Sequence, residues 1–84
     1  MSARVLLRGA SRQIDGWTLN ISRGGLRVIV EESVLVDERF DLLVVGSSGG
    51  ADRVCRQARV VWAKHERDGT IAGFEFLALP DLQG

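Results

Sequence analysis

The sequence predicts an all-β fold, a six-stranded antiparallel barrel with little helix, and three observations lead to this prediction. Apolar residues recur with a period of two far more often than with the helical period of 3.6. Short candidate strands follow one another at intervals of about 8–12 residues. A chain of 84 residues with 45% hydrophobic content fits one small globular domain. We expect closure into a barrel because it leaves no strand edge unpaired.

Six segments carry this pattern, beginning with residues 4–8, a short apolar run between Arg4 and Arg8. In the other five segments the apolar residues of one face alternate with residues of the other face, and we expect them to form the core. They are Trp17, Leu19 and Ile21; Leu26, Val28 and Val30; Phe40, Leu42 and Val44; Val54, Ala58, Val60 and Trp62; and Phe74 and Phe76. The set includes all five aromatic residues, and an exposed aromatic anchor for a partner is the alternative for one of them.

Turn signals separate these segments. The Asp-Gly pairs at residues 15–16 and 68–69 predict hairpin turns, because glycine accepts the backbone angles that tight turns need. Residues 46–50, rich in glycine and serine, predict a flexible connection. Residues 31–38 form the longest polar connection, from which residues 34–36 are expected to fold back onto the core.

Residues 3–79 are therefore predicted to form one domain, followed by a short tail at residues 80–84. The longest apolar stretches have four residues, whereas a membrane span needs about 20, and no signal-peptide pattern opens the chain. We expect a cytoplasmic protein with no membrane span. The single cysteine, Cys55, lies in a predicted strand and is expected to be a small buried side chain. With one cysteine and one histidine, we expect neither a metal site of the Cys/His kind nor a cofactor.

The charges cancel over the whole chain but not along it. Eleven basic and eleven acidic residues give no net charge, which argues against nucleic-acid polymers as partners. Residues 1–30 nevertheless hold five arginines and one acid, whereas residues 31–52 hold six acids and one arginine. Arginine binds phosphates bidentately and stacks on flat rings, so the early arginines are candidates for anion contacts. A genome that encodes basic residues mainly as arginine is the alternative explanation.

The segment Asn20-Ile21-Ser22-Arg23-Gly24-Gly25 joins the second and third predicted strands and carries the polar groups of a candidate binding site. The Asn20 amide can donate to and accept from a purine edge, and the Ser22 hydroxyl can reach a phosphate oxygen. Gly25 and its neighbour let the backbone approach a ligand closely, and Arg23 can cover whatever binds. The alternative is a turn that these side chains merely stabilise.

This segment resembles the second signature of the PilZ domain family, which reads Asp or Asn, any residue, Ser, two residues, then Gly. Asn20, Ser22 and Gly25 match it. The closing segments, residues 58–62 and residues 72–76, resemble the last hairpin of the family. The resemblance covers about residues 3–79. It implies a six-stranded split barrel that is not an enzyme and serves as a receptor or adaptor for cyclic di-GMP in bacterial second-messenger signalling.

The resemblance also implies roles for particular residues. In the family the Asp/Asn-x-Ser-x-x-Gly turn holds a guanine, and this role falls to Asn20, Ser22 and Gly25. An Arg-x-x-x-Arg pair clamps the phosphates, and Arg4 and Arg8 meet that spacing. Arg8 precedes Asn20 by only twelve residues, against about twenty in the family. The alternative to a phosphate clamp is therefore that Arg4 and Arg8 are strand residues that only match the spacing of the signature. Arg12, Arg23 and Arg27 are possible substitutes.

Three other functions are compatible with parts of the pattern. A degenerate PilZ-like module would act through protein contacts or self-association without the nucleotide, with the acids of residues 31–41 facing solvent or a second copy. A small hydrolase would pair Ser22 with His65, but no oxyanion arrangement or paired carboxylate accompanies them. A small nucleic-acid-binding barrel would need more positive charge and more aromatic residues than this chain has.

Overall fold

The structure is a computed structural model and describes residues 3–45 and 53–77. Six strands form a closed barrel in the order β1-β2-β3-β6-β5-β4, and every pair of neighbours is antiparallel. The strands are β1 (Arg4–Arg8), β2 (Gln13–Ile21), β3 (Gly25–Val30), β4 (Arg39–Val45), β5 (Arg53–Glu66) and β6 (Gly69–Phe76). The predicted fold class and strand number are confirmed. The glycine-rich connection of residues 46–50 and the tail of residues 80–84 lie outside the described residues.

The core fills the barrel with alternate residues of every strand, as a period of two requires. Phe40 and Phe74 are part of this core and meet in an edge-to-face arrangement, with ring centroids 6.0 Å apart. The other buried apolar side chains are Val5, Leu7, Ile14, Leu26, Val28, Val30, Val34, Leu42, Ala58, Val60 and Ala72. Cys55 lies within β5, and its side chain is outside the described part of the chain.

The first predicted hairpin turn is wrong, and the second is confirmed. The chain reverses between β1 and β2 at residues 9–12, where the Gly9 N–H donates to the Arg12 carbonyl over 2.8 Å. Gly16 lies inside β2, at a point where a Cβ atom would meet the Val30 side chain and the Ile29 carbonyl oxygen. It is glycine because two strands approach closely there. Arg67 and Asp68 form the predicted turn between β5 and β6.

The predicted core face of β2 is also wrong. Trp17, Leu19 and Ile21 are about half exposed, whereas Ile14 and Thr18 are buried. The Thr18 hydroxyl accepts a hydrogen bond from the Ala3 N–H over 2.9 Å, which offsets the cost of burying it. A register shift between Thr18 and Asn20 interrupts the alternation at the end of the strand. Because side chains alternate with a period of two, Trp17 points outward opposite the buried Thr18. After the shift, Ile21 pairs with the buried Leu26 and lines a cleft with Leu42, Val44 and Phe76.

A second register shift moves Trp62 out of the core. It falls in β5 between Val60 and Trp62, so that Val60 is fully buried while Val61 and Trp62 are both more than one third exposed. A β-bulge of this kind adds one residue to one strand and re-aims the side chains that follow. The prediction that Trp62 belongs to the core is therefore wrong.

The connection between β3 and β4 covers one end of the barrel. Val34 is buried as expected, but Leu35 and Val36 are exposed, so only one of the three predicted residues folds back. Two arginines hold the connection: Arg12 binds both carboxylate oxygens of Glu38 over 2.8 Å, and Arg59 binds Asp37 over 2.6 Å. Both acids are paired within the chain; Asp37 stays exposed, as expected for a solvated face, whereas Glu38 is half-buried.

Candidate functional site

The turn between β2 and β3 is closed by a single carbonyl group. The Ser22 N–H donates to the Gly25 carbonyl over 2.8 Å, and the Ser22 hydroxyl donates to the same oxygen over 3.2 Å. Ser22, Arg23 and Gly24 are exposed, whereas Gly25 is buried. The hydroxyl of Ser22 therefore has to rotate away from the turn before it can donate to a ligand.

Gly25 packs where no side chain fits. A Cβ atom at this position would overlap the Phe74 carbonyl oxygen on the neighbouring strand β6. A Cβ atom at Gly24 would meet nothing within 4 Å. The glycine that matches the family signature is therefore required by the close approach of two strands, and it places the turn directly against β6.

Asn20 begins a row of residues that crosses four strands on the outside of the barrel. It pairs with Arg27 on β3, Arg27 pairs with Gly73 on β6, and Gly73 pairs with Trp62 on β5. Asn20, Arg27 and Trp62 are all exposed. We call these four residues the binding row. The register shifts in β2 and β5 place both Asn20 and Trp62 on the outer surface at this level.

Gly73 lets the Trp62 indole lie against the sheet. A Cβ atom at Gly73 would overlap the indole atoms Nε1, Cε2 and Cδ1 of Trp62. The indole is therefore held on the backbone of β6, while 39% of the tryptophan surface remains accessible. An exposed aromatic ring supported from below is a stacking platform for a nucleobase.

The binding row lines an open cleft of about 320 Å³ together with Ser22, Gly25 and Glu75. This volume is at the lower end of the range for small-molecule sites. The cleft combines the amide of Asn20, the guanidinium of Arg27 and the indole of Trp62. Such groups can hydrogen-bond a base edge, bind a phosphate and stack on a base, respectively.

Arg59 neutralises the acidic wall of this cleft. It binds Glu75 over 3.0 Å and Asp37 over 2.6 Å, so it joins the cleft to the connection between β3 and β4. The hydrogen bonds to Glu75 and then to Asp37 raise the pKa of Arg59 above its ordinary value. Because the pKa of Arg59 is higher in the folded chain than in the unfolded chain, its ion pairs stabilise the fold at every pH below the unfolded-state pKa. This stabilisation is lost only as the pH rises through the folded-state pKa. Arg59 therefore keeps its charge throughout the physiological range.

The structure brings some predicted site residues together and separates others. Asn20, Ser22 and Gly25 line the cleft, and Arg23 is exposed at the tip of the same turn. Arg4 and Arg8 are the first and last residues of β1 and point outward. Arg4 binds Asp15 over 3.3 Å, and each of the two lines a different cleft.

Sequence reasoning missed the aromatic part of the site. Trp62 was expected in the core because it continues the alternation of β5, and a bulge leaves no mark on that alternation. Gly73, opposite Trp62, was the available signal, since a glycine inside a strand often marks a close approach. Arg27 was considered only as a substitute for the arginine pair.

The side chains of the hydrolase hypothesis make other contacts. His65 Nδ1 lies 3.1 Å from the Thr70 hydroxyl oxygen, and Ser22 binds the Gly25 carbonyl. In the part of the chain that the structure describes, no group of three or more His, Cys, Asp or Glu side chains could hold a metal ion. The same part contains no helix long and apolar enough to cross a membrane.

Comparisons with known proteins identify a family. The family model described as PilZ domain matches residues 1–84, the whole chain. Among solved structures, the fold is similar to the PilZ domain with c-di-GMP of YcgR from Escherichia coli, with a TM-score of 0.72 and 13% identity. That match covers 95% of this chain and 72% of the other. No curated protein matches the chain.

Proposed function

The chain belongs to the PilZ domain family, and from this premise we propose that it is a regulatory receptor, not an enzyme, which binds cyclic di-GMP and passes the signal to a protein partner in the bacterial cytoplasm. The observation that carries the proposal is the binding row. It gathers an amide, a guanidinium and a supported indole in the cleft that also contains Ser22 and Gly25.

Each residue has a role that follows from its chemistry. We assign Trp62 to stacking on one guanine and Asn20 to hydrogen bonds with the edge of that base. Arg27, on the same face, would bind a phosphate, and Arg23 would cover the ligand from the tip of the turn. Ser22 would exchange its bond to the Gly25 carbonyl for a bond to a phosphate oxygen, and Gly25 holds the turn in place.

A second candidate function is a protein-interaction module that does not bind the nucleotide. The positions of Arg4 and Arg8 favour it, because their side chains line clefts other than the one containing Asn20.

Replacing both Arg4 and Arg8 with alanine tests whether these arginines bind the phosphates. If they do, the double variant will bind cyclic di-GMP at least about tenfold more weakly. If Arg27 and Arg23 make the phosphate contacts instead, the affinity of the double variant for cyclic di-GMP will stay within about twofold of that of the unmodified chain.

Titration calorimetry with cyclic di-GMP tests the proposal. We expect saturable heat with the unmodified chain and no heat with cyclic di-AMP at the same concentration. Asn20→Ala should weaken binding by about tenfold or more, since it removes hydrogen bonds each worth about 1 kcal/mol to the ligand.

Gln13→Ala is the matched control. Gln13 is an exposed amide on the same strand as Asn20, near the opposite end, so its removal should leave the affinity unchanged. Absence of heat with the unmodified chain would contradict the receptor function. Equal losses in Asn20→Ala and Gln13→Ala would contradict the proposed location of the site.

A further inference from the structure

A second row of outward-facing residues lies next to the binding row and is apolar. Trp17 on β2 pairs with Ile29 on β3, and Ile29 pairs with Ile71 on β6. Trp17 is 53% exposed, and the two isoleucines are half-buried. We call these three residues the apolar row. An exposed tryptophan continuous with two isoleucines is an unusual surface for an isolated domain and is typical of an interaction site.

The charges on either side of the apolar row have opposite signs. Arg27 precedes Ile29 by two residues on the outer face of β3, and Glu31 follows Ile29 by two, just past the end of the strand at Val30. Within the strand, Arg27 lies about 7 Å from the row, at about 3.3 Å per residue. Arg27 and Glu31 are both exposed, and neither forms an ion pair with another residue of the described ranges. Asp15 and Asp68 line a cleft of about 450 Å³ with Trp17, Glu31 and Arg4, and Arg4 binds Asp15 over 3.3 Å.

We propose that a second copy of this chain covers the apolar row in a symmetric dimer whose twofold axis runs along that row. This axis places Trp17, Ile29 and Ile71 against the same residues of the partner. It also reverses the strand direction, so that Arg27 of each copy faces Glu31 of the other. The contact is self-complementary in hydrophobicity and in the charges of Arg27 and Glu31. At the ends of the row, Arg4 beside Trp17 and Lys64 beside Ile71 face their own copies, with their charges already paired to Asp15 and Glu66.

The charges of Arg27 and Glu31 disfavour the other way of placing two faces together. A twofold axis parallel to β3 would put Arg27 against Arg27 and Glu31 against Glu31, and like charges at an interface are unfavourable. Arg27 and Glu31 therefore favour the axis that runs along the apolar row. This inference does not depend on nucleotide binding, although Arg27 takes part in both surfaces.

Sedimentation equilibrium of the chain without nucleotide tests the dimer. We expect a reversible dimer that forms at concentrations between about 1 and 100 µM, a range that fits a small interface. Glu31→Arg and Arg27→Glu should each weaken the dimer by about tenfold, because each change introduces two repulsive contacts. The double variant Arg27→Glu with Glu31→Arg should restore it. Arg39→Glu, an exposed charge reversal on β4, should have no effect.

Trp17→Ser should weaken the dimer by more than about tenfold, since aromatic residues at the centre of an interface contribute most to its affinity. Leu35→Ser is the control for removing an exposed apolar side chain, because Leu35 is 70% exposed and lies in the connection after β3. A chain that stays monomeric up to about 100 µM would overturn the proposal. So would a dimer insensitive to Glu31→Arg, or a double variant that remains as weak as the single ones.

Discussion

Gly24 and Gly25 are adjacent in sequence and differ in what surrounds them. Because a Cβ atom at Gly25 would overlap the Phe74 carbonyl oxygen, Gly25→Ala has to push the turn away from β6. We expect it to lower the free energy of unfolding by about 1–3 kcal/mol, the usual cost of overpacking. Gly24→Ala, with open space around it, should change it by less than about 0.5 kcal/mol. Urea unfolding of both variants measures the difference, and equal costs would contradict the close packing of Gly25.

Val34 and Leu35 provide a second comparison between neighbours. Val34 is 1% exposed and Leu35 is 70% exposed. Val34→Ala should lower the free energy of unfolding by about 2 kcal/mol, because it removes buried methyl groups and leaves a cavity. Leu35→Ala should be neutral within about 0.5 kcal/mol. If both variants unfold at the same urea concentration, Val34 does not fill the end of the barrel.

At the scale of elements, the connection between β3 and β4 depends on buried apolar contact and on one good ion pair. Arg12 binds both oxygens of Glu38, and both side chains are about two thirds covered. Arg12→Ala should lower the free energy of unfolding by about 1 kcal/mol. Arg4→Ala removes a pair with Asp15 that is more than half exposed and should cost less than about 0.5 kcal/mol. Thermal or urea unfolding distinguishes the two, and a larger loss for Arg4→Ala would contradict this ranking.

Period-two alternation of apolar residues predicts where strands lie but not which of their faces is buried. Six strands and their antiparallel arrangement were predictable because alternation marks the strands locally, although one of the two Asp-Gly turn signals lies inside β2. The inward phase of β2 was not, since Thr18 is buried through a hydrogen bond with Ala3 that depends on the β1–β2 pairing. Trp62 was missed for a related reason: the bulge before it changes the phase of β5 without changing the composition. Phase is set by tertiary contacts, whereas strand propensity is local.

At the scale of the whole molecule, the pairing of β2, β3, β6 and β5 creates the candidate site. The turn motif was visible in the sequence, but its neighbours were not, because Arg27, Gly73 and Trp62 join Asn20 only when β3, β6 and β5 pair in the observed register. Arg4 and Arg8 lie on β1 and line other clefts, although the spacing of these arginines matches the family pattern. Pairing across a barrel brings together residues that are more than forty positions apart in the chain.

The proposed receptor and the proposed dimer share Arg27, so they should be thermodynamically linked. A phosphate bound by Arg27 would remove it from Glu31 of the other copy, and we expect cyclic di-GMP to shift the dimer toward monomer. Linkage is reciprocal, so the dimer should bind the nucleotide more weakly than the monomer does, and raising the protein concentration should weaken nucleotide binding. Sedimentation with and without saturating nucleotide measures this. A dimer that is unchanged or tightened by the nucleotide would contradict the sharing of Arg27.

The central claim is that cyclic di-GMP binds on the outer face of the barrel at the binding row. Chemical-shift mapping of the ¹⁵N-labelled chain tests it most directly, because the Trp62 indole N–H and the backbone N–H groups of Asn20, Arg27 and Gly73 report on the row individually. We predict progressive, saturable shifts at these four residues as cyclic di-GMP is added. Shifts confined to Arg4, Arg8 and their neighbours, or no shifts at all, would contradict the claim.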